Sequence, residues 1–92
     1  MSENLIYLWT DRYGHAYATL RGRAGHWRLE WGYRDPPASD HYVQKGEHLT
    51  SVREEAVRLT VERIRALSGE AIDAERSEEK LRGALQVEES VS

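Results

Sequence analysis

His15-Ala-Tyr-Ala-Thr-Leu-Arg-Gly-Arg23, then Ala24-Gly25, then His26-Trp-Arg-Leu-Glu-Trp-Gly-Tyr33: this stretch decides the fold. Small or apolar residues fall at Ala16, Ala18, Leu20 and Gly22, and again at Trp27, Leu29, Trp31 and Tyr33. A period of two marks strands with one buried face. A two-residue turn at Ala24-Gly25 sets Arg23 opposite His26. The same register then sets Gly22 against Trp27, Leu20 against Leu29, Ala18 against Trp31 and Ala16 against Tyr33. Small residues oppose large ones, and every apolar position lands on one face.

Working outward, Leu5–Thr10 reads as the preceding strand, and Asp11-Arg12-Tyr13-Gly14 has the Asp-first, Gly-last pattern of a type I turn. Two facings remain open. A three-residue loop with a glycine bulge points Ile6 and Leu8 inward and leaves Tyr7 and Trp9 outside. A four-residue loop buries Leu5, Tyr7 and Trp9 instead, because a one-residue slip exchanges the faces. Beyond the hairpin, the residues from Arg34 to Asp40 include Pro36 and Pro37, which cannot continue a ladder. His41–Lys45 is expected to form a short fourth strand.

Ser51-Val52-Arg53-Glu54 fits a capping box, with serine at the N-cap and glutamate three residues on. Val52, Ala56, Leu59, Thr60, Ile64 and Leu67, flanked by Val57, recur at helical spacing. Glu54–Arg58 and Arg58–Glu62 are i,i+4 pairs on the opposite side, and Ser68-Gly69 supplies a stop. The sequence predicts a helix over 51–67. Glu70–Ser92 is charged, with sparse apolar residues at Ile72, Leu81, Leu85 and Val87. It reads either as a second helix around Ser77–Gln86 or as a disordered tail. The expected architecture is α+β: a three- or four-stranded antiparallel meander packed against one amphipathic helix, followed by that charged tail. The expected division is a domain over 1–69 and an acidic extension over 70–92.

Ninety-two residues suit one small domain with a thin core. The chain has no cysteine, lacks the run of ~20 apolar residues that crosses a bilayer, and shows no basic-then-apolar leader. These features set the expectation of a soluble protein of a reducing cytoplasm, with no membrane association. Charge is uneven. Between His15 and Arg34, Arg21, Arg23, Arg28 and Arg34 stand against Glu30 alone, whereas from Ser68 onward three basic residues face seven acidic ones. The aromatic residues, Tyr and Trp without Phe, all lie in the first half and end at Tyr42. Tyr and Trp carry a polar tip and suit interfaces.

Catalysis and metal binding have no motif here. His15, His26, His41 and His48 lack cysteine partners and HxxxH or HExxH spacing, and no nucleophile motif or phosphate-cradling glycine loop occurs. The expectation is a non-enzyme without cofactor or metal. The hairpin register instead gathers Tyr17, Thr19, Arg21 and Arg23 with His26, Arg28, Glu30 and Gly32 on the outer face. Like charges at Arg21 and Arg28 lie opposite one another, which is mildly destabilising. Arginine and tyrosine are enriched in protein–protein hot spots, and basic aromatic sheets also bind single-stranded nucleic acid.

The stretch Tyr42–His48 running into Ser51 and Glu54-Glu55-Ala56 loosely resembles the strand-to-helix step of HicB-like antitoxin domains. It lacks that family's proline-rich segment ending in glycine, so the resemblance implies architecture alone. Small phage-encoded inhibitors of host defence share the same general build. The function expected from the residues is a non-enzymatic protein-binding module, an inhibitor or regulator of antitoxin-like or anti-defence type. Arg21, Arg23, Arg28, Tyr17 and His26 are its candidate contacts, joined by Tyr7 and Trp9 if these face outward. The expected partner is a protein, with a nucleic-acid-handling complex as one candidate. The alternative is single-stranded nucleic-acid binding by the same face. An open edge at residues 5–10 allows either a monomer or a homodimer.

Overall fold

The hairpin register read from alternation is the register of the fold. A computed structural model describes residues 4–23, 25–34, 42–69 and 71–91. In it β2 (Ala16–Arg23) pairs antiparallel with β3 (His26–Tyr33), from Arg23 opposite His26 to Ala16 opposite Tyr33. Ala24, in the expected turn, lies outside the described residues. Gly22 has φ +138°, and a Cβ there would meet the His26 carbonyl oxygen at 2.0 Å, so only glycine fits beneath Trp27.

β1 (Asn4–Thr10) pairs with β2, and β4 (Gln44–Thr50) pairs with β3, giving a four-stranded antiparallel sheet in the order β1-β2-β3-β4. α1 (Arg53–Ser68) lies against β2 and β3, and α2 (Ala71–Val91) lies against β1 and α1. Both helices cover one face of the sheet. The fold is α+β, and the residues buried between the layers come from three strands and both helices. Leu20, Ile64, Leu81 and Leu85 are fully buried, each contributing about 1.5–3 kcal/mol relative to an exposed side chain.

The β1 facing resolves as a mixture of the two readings. The Gly14 N–H donates to the Asp11 carbonyl at 3.1 Å, closing the expected turn, and the Asp11 N–H donates to the Ala16 carbonyl at 2.9 Å. The connection runs over 11–15, longer than the four residues expected, and with Thr10 opposite Tyr17 it sets Tyr7 opposite Leu20 and Trp9 opposite Ala18, on the helix-covered face. The register then shifts between Leu5 and Tyr7, where Ile6 is the extra residue of a β-bulge. Past the bulge Leu5 pairs with Arg21 and points outward, 51% exposed.

The fourth strand corrects the sequence expectation of 41–45. It runs from Gln44 to Thr50, and His41, like positions 35–40 with their two prolines, lies outside the described residues. Its inward positions, Gly46, His48 and Thr50, face Trp31, Leu29 and Trp27. β4 touches α1 only lightly, so its pattern is polar and gives no alternation to read. The Trp31 indole lies directly against Gly46, where a Cβ would come within 2.4 Å of Nε1 and Cε2. The Arg63 guanidinium covers the ring with Cζ 4.0 Å from its centroid.

The capping box does not form. α1 begins at Arg53 with Val52 as N-cap and no side-chain cap, while the Thr50 hydroxyl accepts the Val52 N–H at 3.2 Å. Glu54 is instead taken by α2: both its oxygens accept from Arg82 Nη1, at 2.9 and 3.0 Å. At the other end Gly69 adopts the left-handed conformation and donates its N–H to the Arg65 carbonyl at 3.0 Å. Val52, expected on the apolar face, is exposed, and Val61 is buried.

The charged tail is helical over a longer span than 77–86. Ala74, Ser77, Leu81 and Leu85 form its buried stripe, at intervals of three and four. The Tyr7 hydroxyl donates to Ser77 Oγ at 3.0 Å, joining β1 to α2. No helix among the described residues is long and apolar enough to cross a membrane.

Candidate binding face

Because both helices sit on one side, no described helix or strand covers the other side of the sheet. The pairings arrange it in three rows running from β1 to β4. The first is Leu5, Arg21, Arg28 and Leu49; the second is Leu8, Thr19, Glu30 and Glu47; the third is Thr10, Tyr17, Gly32 and Lys45. Arg23 and His26 extend the face at the hairpin end. Leu8 is 53% and Leu49 66% exposed, which is high for leucine in a strand.

The charges on this face are not equivalent. Arg28 Nε lies 3.1 Å from Glu30 Oε1, and its Nη1 lies 4.0 Å from Glu47 Oε2. The nearer contact is an ion pair without directed hydrogen-bond geometry, since Nε makes no aligned bond. The two carboxylates offset the repulsion expected between Arg21 and Arg28. Among the described residues no carboxylate pairs with Arg21 or Arg23. The face therefore presents Arg21 as a half-buried cation flanked on its row by Leu5 and by the neutralised Arg28.

The third row carries the aromatic character. Tyr17 and Tyr42 lean over Gly32 and meet edge to face, with centroids 5.5 Å apart. A Cβ at Gly32 would sit 2.6 Å from Tyr17 Cε1 and 3.0 Å from Tyr42 Cδ1, so the absent side chain makes the space for both rings. Lys45 Nζ lies 5.0 Å from the Tyr42 centroid and Arg34 Cζ 5.8 Å. Burial, and then the charges of Tyr42 and Glu30, push the Tyr17 hydroxyl above its ordinary ionisation range. It stays a neutral hydrogen-bonding group at physiological pH.

Five of the sequence-derived candidates, Arg21, Arg23, Arg28, Tyr17 and His26, lie together on this face. Tyr7 and Trp9 do not. Trp9 is 7% exposed in the core and Tyr7 is bonded to Ser77, so neither ring is offered to a partner from the outer face. Sequence reasoning missed Leu5, Leu8, Lys45, Glu47 and Leu49. Alternation alone could not place the β1 leucines across a bulge, and β4 has no alternation.

At the hairpin end the face runs into a cleft of about 400 Å3 lined by Gly25, His26, Trp27, Arg28, Leu49 and Thr50 with Ser51. The cleft between the helices is walled by charged residues such as Glu54, Arg58, Glu62 and Arg82, whose Arg58–Glu62 and Arg82–Glu54 pairs are exposed. Among the described residues no three histidine, aspartate or glutamate side chains gather as a metal site would require. Comparison with family models, curated proteins and solved structures finds no match for this chain.

Proposed function

We propose that this chain is a non-catalytic protein-binding module, of the small inhibitor or regulator kind, that docks through the open sheet face. One observation carries the reading: the helices cover one side of the sheet, leaving exposed leucines on the other beside Arg21, with which no carboxylate among the described residues pairs. Soluble proteins rarely leave apolar residues grouped on a flat face without a binding role. The face carries Arg21, Arg23, Arg28 and Lys45 against Glu30 and Glu47, with its leucines on the edge strands, so the complementary surface is acidic at its centre with apolar flanks.

Two features weigh against single-stranded nucleic acid. Glu30 and Glu47 occupy the middle row, where phosphates would have to pass. The inward turn of Tyr7 and Trp9 leaves Tyr17 and Tyr42, whose rings already pack on one another. Stacking platforms need open ring faces.

The test is affinity capture from source-cell lysate with the natural chain and Arg21→Glu, each with and without nuclease. Circular dichroism checks that the variant is folded. The expected result is a stoichiometric acidic protein that survives nuclease and is lost with Arg21→Glu. Recovery of nucleic acid, or equal capture by the variant, overturns the proposal.

A further inference from the structure

The two edges of the sheet differ in chemistry. β4 carries Lys45, Glu47 and His48, and charged residues are the usual means of keeping a sheet edge from pairing. β1 carries none. Its seven residues, Asn4-Leu-Ile-Tyr-Leu-Trp-Thr10, include neither a charge nor a proline, and among the described elements it packs on β2 and α2. Neither of those pairs with its outer edge.

The bulge at Ile6 would ordinarily blunt such an edge. Here it also changes the phase of the strand. Ile6 packs against the core, as do Tyr7 and Trp9, whereas Leu5 and Leu8 point to the open face. Asn4 shares the inward side, being paired with Gly22. Two copies meeting antiparallel about a two-fold axis must match inward residues to inward and outward to outward. One register achieves this along the strand: Leu5 opposite Leu8, Ile6 opposite Tyr7, and Asn4 opposite Trp9 of the second copy. A slip of one residue either way sets Leu5 against Tyr7 or Trp9 and breaks the match at nearly every position.

We infer that β1 is a self-pairing edge through which two copies of this chain join into one eight-stranded antiparallel sheet. The join places Leu5 and Leu8 of both copies in a four-leucine cluster on the open face, covering apolar surface that a monomer exposes. A neutral strand meets its own copy without any charge to desolvate at the join, whereas β4 would bring Lys45 and Glu47 into it. The join takes Leu5 and Leu8 from the proposed docking face and leaves Arg21, Arg28 and Leu49 to a partner; its test uses the purified chain alone, so the two readings fail separately.

The absence of cysteine makes a direct test clean. Leu5→Cys and Leu8→Cys variants are purified reduced, then oxidised separately and as a mixture. The expected result is a crosslinked dimer in the mixture and little in either variant alone. The two positions oppose one another across the join, whereas each lies three residues away from its own copy. In parallel, light scattering across a concentration series should give twice the chain mass for the natural protein and the monomer mass for Leu8→Lys. That substitution is at an exposed position, and circular dichroism should show an unchanged fold. A natural chain that remains monomeric up to millimolar concentration overturns the inference, as does crosslinking as strong in the single variants as in the mixture.

Discussion

Replacing Gly46 with alanine sets two effects against each other, and the structure decides the sign. Gly46 does not have positive φ. Alanine is therefore compatible with its backbone and would ordinarily stabilise by about 0.4–1 kcal/mol through the unfolded chain. The added Cβ, however, would lie 2.4 Å from Nε1 and Cε2 of Trp31. Carbon contacts are comfortable near ~3.5–4 Å, so the indole must move by roughly an ångström. Its other side is held by Arg63. Overpacking of this kind costs about 1–3 kcal/mol, and disturbing the cation–π contact adds about 0.5–1 kcal/mol. The net expectation is a destabilisation of about 1–3 kcal/mol after the backbone gain is deducted.

Urea unfolding followed by far-ultraviolet circular dichroism measures it. The control is the same substitution in a Trp31→Val background, where alanine should become neutral or stabilising and the cycle should return a coupling above about 1 kcal/mol. A Gly46→Ala protein as stable as the natural one with Trp31 present would refute the argument. It would mean that the indole is not pinned between β4 and α1.

Other outcomes follow from the second helix and its contacts. Leu81→Ala should cost about 2–5 kcal/mol in the same unfolding assay, because Leu81 is fully buried; a cost near zero would mean α2 is peripheral. Tyr7→Phe strips the donor from Ser77, itself 2% exposed, and should cost about 1–3 kcal/mol; adding Ser77→Ala should recover part of that loss. The Arg82 hydrogen bond, with its charge, holds the Glu54 carboxyl below its ordinary range. Its contribution to stability is present above the unfolded carboxylate range and is lost as pH falls through the depressed folded value. In an NMR titration Arg82→Ala should move the Glu54 midpoint upward, and an unmoved midpoint would contradict the pairing.

The β2–β3 hairpin was legible in full because both strands lie under helices and show their buried face as strict alternation. β1 was legible only in halves. The turn chemistry of Asp11–Gly14 placed the strand but left the facing of Tyr7 and Trp9 open, and nothing in Leu5-Ile6-Tyr7 announces a bulge. β4 was misplaced because it lies at the rim of the helix layer, and a strand with little to bury carries little pattern. The capping box at Ser51 failed for a tertiary reason: Glu54, needed to close it, is drawn to an arginine 28 residues downstream. α2 was under-read because half of its buried stripe is Ala74 and Ser77, small residues that let helices approach closely but carry little hydrophobic signal. The basic centre of the candidate face could be read from the hairpin alone. Its leucines and its third row required the tertiary pairings of β1 and β4.

A sheet clothed on one side divides its own sequence between two masters. Along β2, Ala16, Ala18, Leu20 and Gly22 answer to the core, while Tyr17, Thr19, Arg21 and Arg23 face away from it. Alternate letters of a single strand thus answer to separate physical constraints. A descendant could rewrite every second residue to suit a new target and leave the scaffold as it was. Divergence along this strand should therefore show a two-residue beat, with the quiet positions recording the fold and the variable ones recording the history of what it has met.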